Sequence, residues 1–130
     1  MQTFKTKAFA RFAAREGLED TALCEAIRRA RGGLIDADLG GGVIKQRIAR
    51  KGSGRSGGFR MIVLFRRGAL AAFFVYGFAK SDRENLRRDE LETYRLLADR
   101  YLALDEKGLT AAQAAGAIVE VKCDDQTIQE

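Results

Sequence analysis

Residues 43–80, VIKQRIARKGSGRSGGFRMIVLFRRGALAAFFVYGFAK, hold nine lysines and arginines and no aspartate or glutamate, so the stretch carries +9 in a chain of net charge +5. Its β-branched and aromatic residues come in blocks of strand length, separated by a glycine-rich segment at 52–58 and a short turn at Gly68. That pattern predicts three strands. In the first, residues 43–50, period-two geometry puts Lys45, Arg47 and Ala49 on one face and Ile44, Gln46 and Ile48 on the other. The second, residues 59–67, and the third, residues 70–79, are apolar on both faces apart from their ends, which places them at the centre of a sheet covered on both sides. The charge is therefore placed on a surface of that sheet. After Lys80 the sign reverses, with seven basic and twelve acidic side chains in residues 81–130.

A chain of 130 residues that is 46% hydrophobic is large enough to bury roughly two-thirds of its unfolded surface in one core. A single domain over residues 1–121 with a polar, frayed tail at 122–130 is expected. The longest apolar run, residues 69–79, is too short to cross a bilayer. Lys5, Lys7, Arg11 and Arg15 interrupt the N-terminus, so no signal-peptide core is present and a cytoplasmic location without membrane contact is expected. Cys24 and Cys123 match neither a disulfide framework nor a zinc pattern, and free thiols are expected.

Taken in order, residues 1–5 predict a short strand. Phe9, Phe12 and Ala13 recur at helical spacing from Thr6 to a stop at Gly17, and Asp20 can cap a second helix with Leu23, Ile27 and Ala30 on one face. Arg28, Arg29 and Arg31 fall in its last turn, where cations favour the helix dipole, and read as structural more than as RNA contacts. Gly32 and Gly33 end it, and residues 34–42, LIDADLGGG, read as a loop. Past the strands, Ser81 and Glu84 form a capping box for a long helix with Leu86, Tyr94, Leu97 and Tyr101 on its apolar face. Thr110 and Gln113 repeat the box for a short helix ended by Gly116, followed by an edge strand at 117–121.

The chain has no histidine, and the basic block has no carboxylate, so it offers no ligands for a metal site and no cofactor motif is evident. Imidazole-based catalysis is excluded with it. What remains suits phosphate. Guanidinium groups present planar forks of donors to a phosphorane, and a lysine among like charges can exchange protons. The glycines of residues 52–58 let the backbone approach an anion. On residue types alone, a basic strand face is more often a solvated or nucleic-acid-binding surface than an active site.

The segments IKQRIARKGSGRSGGFRMIVLF and FFVYGFAKSDREN, with LIDADLGGG upstream and GAIVEV downstream, resemble the RelE/HigB superfamily of toxins from bacterial toxin–antitoxin modules, in its HigB-type branch. The resemblance implies a compact α+β fold, an antiparallel sheet of three to five strands with N-terminal helices and a long C-terminal helix packed on it. It implies a ribosome-dependent mRNA endonuclease, an mRNA interferase that cuts in the A site without metal by attack of the 2′-OH on the adjacent phosphate. Its partners would be the ribosome, mRNA and a cognate antitoxin, a small helix-turn-helix protein. Lys45 and Arg47 match the paired basic residues facing the scissile phosphate, Arg60 the arginine that stabilises the transition state, and Lys80 the basic position closing the last strand. Arg50, Lys51, Arg55, Ser56, Gly57, Gly58 and Arg87 are the expected RNA-binding set. Ser81 stands where RelE has a second arginine and Arg87 where it has a tyrosine, so the proton donor to the leaving 5′-oxygen stays open, with Lys45 as base and Lys80 or Arg87 as supporting cation. A ParE-like gyrase inhibitor, or an RNA-binding domain that has lost catalysis, are the alternatives on the same fold.

Overall fold

The central strands form where the β-branched and aromatic blocks lie, at β3 (Val43–Ile48), β4 (Phe59–Leu64) and β5 (Ala71–Ala79). The computed structural model describes residues 1–49 and 58–123. Around these strands the chain adds β1 (Gln2–Thr6), α1 (Lys7–Glu16), α2 (Asp20–Arg31) and β2 (Ala37–Gly40) before them, and α3 (Arg88–Tyr101), α4 (Glu106–Ala114) and β6 (Ile118–Glu120) after them. The strand order is β2-β3-β4-β5-β1-β6. All neighbours are antiparallel except β1 and β5, which run parallel.

The sheet is thus six-stranded and mixed, larger than the antiparallel sheet of three to five strands expected. One feature enlarges it and another makes it mixed. The loop expected at 34–42 folds back on β3 as β2, through a turn whose Gly42 has φ 85° and would drive a Cβ to 2.8 Å from Leu102 Cδ1. β1 enters beside β5 instead of at an outer edge, and β6 takes that edge.

The sheet separates two apolar layers. On one face Phe9, Leu23, Ile27, Ile44, Met61, Val63 and Phe74 pack under α1 and α2. On the other, Val43, Ile62, Leu64, Phe73, Ala98 and Ile118 pack under α3 and α4. β4 and β5 feed both layers, as their apolar character on both faces required. Register between β4 and β5 shifts where Ile62 and Val63 pair with Tyr76 and Phe74, leaving Val75 as an extra residue. This bulge re-aims everything after it. Phe73 faces α3, and beyond Val75 it is Tyr76 and Phe78 that lie on that side, while Gly77 faces Phe12 of α1 so closely that a Cβ would meet the ring at 2.4 Å.

The first helix runs as expected from Thr6 to Gly17, and several other local expectations are corrected. Thr6 caps α1, its hydroxyl accepting from Phe9 N at 3.3 Å. For α2 the cap is Glu19, because the Asp20 carboxylate is drawn away to Lys5 Nζ at 3.1 Å and Lys122 N at 2.8 Å. The long helix begins at Arg88, with Glu90 accepting from Arg87 N at 2.7 Å, so Ser81 and Glu84 cap nothing. It is not C-terminal either, since α4 and β6 follow it, and α4 is capped by Asp105, which leaves Thr110 inside the helix. Cys24 and Cys123 form a disulfide with a Cα–Cα distance of 5.7 Å, overturning the free-thiol expectation. The pairing is a product of topology: Val121 N bonds Thr3 O at 2.8 Å beside α2, and the Asp20 contact with Lys122 draws the following residue onto the helix.

Candidate active site

Beyond the reach of α3, the face of the sheet that carries Val43, Ile62 and Phe73 ends in charge. Arg47 on β3 is the direct cross-strand partner of Arg60 on β4, and Arg60 is opposite Phe78 on β5. Lys45 shares the face of Arg47, its neighbours Ile44, Gln46 and Ile48 being buried on the other side. Lys80 N donates to Gly58 O at 3.2 Å, which closes β5 against the start of β4 and brings Lys80 beside Arg60. The Val75 bulge is what turns Lys80 to this face.

A hollow of about 220 Å³ results, lined by Lys45, Arg60, Lys80, Glu84 and Asn85. It gathers three of the four cations expected to act, from β3, from β4 and from the residue that follows β5. The fourth, Arg47, lines an adjoining hollow of about 320 Å³ with Arg29, Ile48, Ala49, Gly58 and Arg60. Arg60 is the wall common to both. Two guanidinium groups on directly opposed positions cost a sheet stability, and an anion seated between them would remove that cost.

Glu84 and Asn85 are site residues that the sequence reading missed, having placed them inside a helix. A tight turn after β5, with Asp82 N donating to Ala79 O at 3.0 Å, carries the chain back over the sheet. Lys45 Nζ then donates to Asn85 Oδ1 at 3.0 Å and to Glu84 O at 3.5 Å. Arg83 holds this segment. Its guanidinium lies over the rings of Tyr76 and Phe78 at 5.8 and 5.5 Å, and its Nε donates to Asn85 O at 3.2 Å. It also grips Glu90 at 2.5 and 3.2 Å and donates to Tyr76 Oη at 3.1 Å. The hydrogen bond from Arg83, followed by that from Arg87 N, lowers the Glu90 carboxyl to about 2, and the bonds to Glu90 and then Tyr76 raise the Arg83 guanidinium in turn.

A third residue missed is Gln46, which the pattern put on the apolar face of β3. It is fully buried and fully bonded: Oε1 accepts from Asp36 N at 2.7 Å, and Nε2 donates to Ala26 O at 3.0 Å and Leu34 O at 3.2 Å. The only signal for it was a lone amide among Ile44 and Ile48, which demands partners once buried.

Of the expected RNA-binding set, Arg50, Lys51, Arg55, Ser56 and Gly57 lie outside the described residues. Gly58 lines the Arg47 hollow, and its backbone approaches Ile48 O so closely that a Cβ would stand 2.7 Å away. Arg87 is not brought to either hollow. It sits at the start of α3, bonded to Asp89 at 3.1 Å and near Glu90 at 3.6 Å. Arg66 and Arg67 lie at the far end of β4, exposed, as flanks of a turn. Among the described residues no cluster of His, Cys, Asp or Glu has the makings of a metal site, and no helix is long and apolar enough to cross a membrane.

Sheet and hollows together define a small protein whose exposed chemistry is directed at anions. The chain belongs to the family described as the RelE toxin of the RelE / RelB toxin-antitoxin system, which it matches over residues 1–121. It is therefore a toxin component of a toxin–antitoxin system, with a cognate antitoxin as partner. None of the curated proteins matches it.

Proposed function

We propose that the protein is an mRNA interferase of the HigB-type branch, a ribosome-dependent endoribonuclease that works in the cytoplasm without metal. The observation that carries this reading is the convergence of Lys45 of β3, Arg60 of β4 and Lys80 just after β5 on one hollow beside Arg47. In the proposed reaction the 2′-oxygen attacks the adjacent phosphorus, the P–O5′ bond breaks, and the products are a 2′,3′-cyclic phosphate and a 5′-hydroxyl. Arg60, reaching both hollows, is positioned to meet the charge that grows on the phosphorane oxygens, and Arg47 adds to it. Lys45 takes the 2′-proton, Lys80 is the supporting cation at the leaving 5′-oxygen, and a proton from water completes the 5′-hydroxyl. Arg87 drops out of that role because its guanidinium is engaged on Asp89 and Glu90.

The test is cleavage of mRNA on programmed ribosomes with magnesium chelated after ribosome assembly is fixed. Cleavage should persist, leave a 5′-hydroxyl, and stop when the scissile nucleotide is 2′-deoxy. A chemical step that needs free Mg²⁺, or intact mRNA with loss of gyrase supercoiling, would overturn the reading.

A further inference from the structure

We propose that the hollow between α2 and the adjoining ends of β3 and β4 is a second phosphate subsite, in which Arg29 holds a phosphodiester of the RNA strand next to the one at Arg60 and Lys45, with Arg47 standing between the two. The inference rests on the reading of the Lys45 hollow as an RNA site.

Arg29 differs from Arg28, its neighbour in the last turn of α2. Arg28 pairs with Glu25 along the helix. Arg29 instead reaches off α2 to the sheet, where its Nη2 donates to Arg47 O at 2.5 Å and its Nη1 lies 3.4 Å from Asp36 Oδ2. The same Asp36 oxygen accepts from Arg47 N at 2.6 Å. Asp36 is itself fixed through its own N–H to buried Gln46. The guanidinium is thus held by two acceptors against the backbone of the very residue whose side chain lines the hollow, and among the described residues the rest of its five N–H donors have no other partner. A prepositioned fork of this kind loses little entropy on meeting a phosphate. Sequence position alone assigned Arg29 to the helix dipole; the hollow assigns it a ligand.

RNA fits this hollow better than an acidic protein segment does. Its walls are three guanidiniums, and its floor is Ile48, Ala49 and Gly58, with Ile48 buried to 7% exposure, so an incoming protein side chain would find no apolar pocket to anchor in. Arg60 joins it to the Lys45 hollow. Lys45 and Arg47 are two residues apart on β3, roughly 6.8 Å along a strand, which is comparable with one nucleotide step of extended RNA. A single strand laid along the end of the sheet would place consecutive phosphates in the two hollows.

The experiment uses a short single-stranded RNA, 2′-deoxy at the scissile nucleotide, with each phosphate replaced in turn by a neutral methylphosphonate, and reads binding by anisotropy. For the wild type, replacement at two consecutive positions should each weaken binding about tenfold. In Arg29→Gln one of those positions should become insensitive while the other keeps its effect, and the slope of log K against log salt should fall by about 0.7. Arg29→Lys, which keeps the charge, should restore part of that sensitivity, and melting curves establish that all three proteins are folded. An unchanged methylphosphonate profile in Arg29→Gln, an equal loss at every position, weakened antitoxin binding with RNA binding intact, or a wild type insensitive to every replacement would each overturn the subsite. If the profile changes as stated but the all-ribose RNA is not cut on ribosomes, the subsite stands and the proposed reaction fails. If cutting proceeds and the profile does not change, the reaction stands and the subsite fails.

Discussion

Gln46 and Arg60 make opposite demands on the molecule. Gln46 is fully buried, and its amide joins β3 to α2 and to the segment that carries Asp36. Gln46→Leu keeps the volume and orphans the Asp36 N–H and two carbonyls, so unfolding free energy should fall by about 3 kcal/mol, read by chemical denaturation. Arg60 faces Arg47 across the strands. Arg60→Ala relieves a like-charge pair and should melt at or slightly above the wild-type temperature, while single-turnover cleavage at saturating ribosomes falls about 10²-fold. A cleavage defect that tracks a collapsed melting temperature would make Arg60 structural. Both residues were visible in the sequence, but unequally. Alternation put Arg47, the partner of Arg60 on β3, and Lys45 on a basic face without any knowledge of tertiary contacts, and the family resemblance added Arg60 itself. The partners of Gln46 lie as far away as Ala26, on another element, and no local pattern points to them.

At the level of elements, the site depends on two irregularities that periodicity does not reveal. One is the Val75 bulge, which brings Lys80 to the face of Arg60. In an uninterrupted strand, residue 80 would share a face with residues 74 and 78 and not with Phe73, so counting by twos from residue 70 misplaces every residue after Val75. The other is the segment between β5 and α3, which lays Asn85 on Lys45. The pattern Ser81 to Glu84 has the form of a capping box, but Arg83 finds Tyr76, Phe78 and Glu90 in the tertiary structure, and these contacts win over the local helix signal. Glu90 gives that segment a pH signature. Its carboxyl is lowered from 4.5 to about 2, so the stabilisation it supplies is fully present above 4.5 and is lost as the pH falls through the interval down to about 2. The difference in unfolding free energy between the wild type and Glu90→Gln should stay level from neutral pH to about 5 and shrink towards zero near pH 2. Denaturant titrations across that range read it directly, and a difference independent of pH would mean that Arg83 is not held by this carboxylate.

For the whole molecule, the sheet has a chemical end and a stapled end. β5 starts at Ala71, near the point where Val121 bonds Thr3 and the chain goes on to Cys123, and it finishes at Ala79 beside Lys80 and Arg60. The Cys24–Cys123 disulfide joins positions 99 residues apart and ties the last strand to α2 at the stapled end. Two distant cysteines carry no pairing signal, and only the placement of β6 beside β1 makes them neighbours. A cross-link closing a loop of that length restricts the unfolded chain by up to about 4 to 5 kcal/mol. The two apolar layers share β4 and β5, so the folded state does not depend on the staple for its core. Under the proposed reading the toxin works on ribosomes, among cellular thiols that keep such a bond reduced, and that reading requires the fold to stand without it. The expected outcome is that Cys24→Ser, Cys123→Ser, or the wild type under dithiothreitol, unfolds at markedly lower denaturant than the oxidised protein in one cooperative transition. At temperatures where the reduced protein is folded, its single-turnover cleavage rate should equal that of the oxidised form, because the hollows of Lys45 and Arg47 lie at the other end of the sheet. A rate that falls with reduction while the melt still shows a folded protein would mean that the staple reaches the site through α2, whose first turns carry Cys24 and whose last turn carries Arg29.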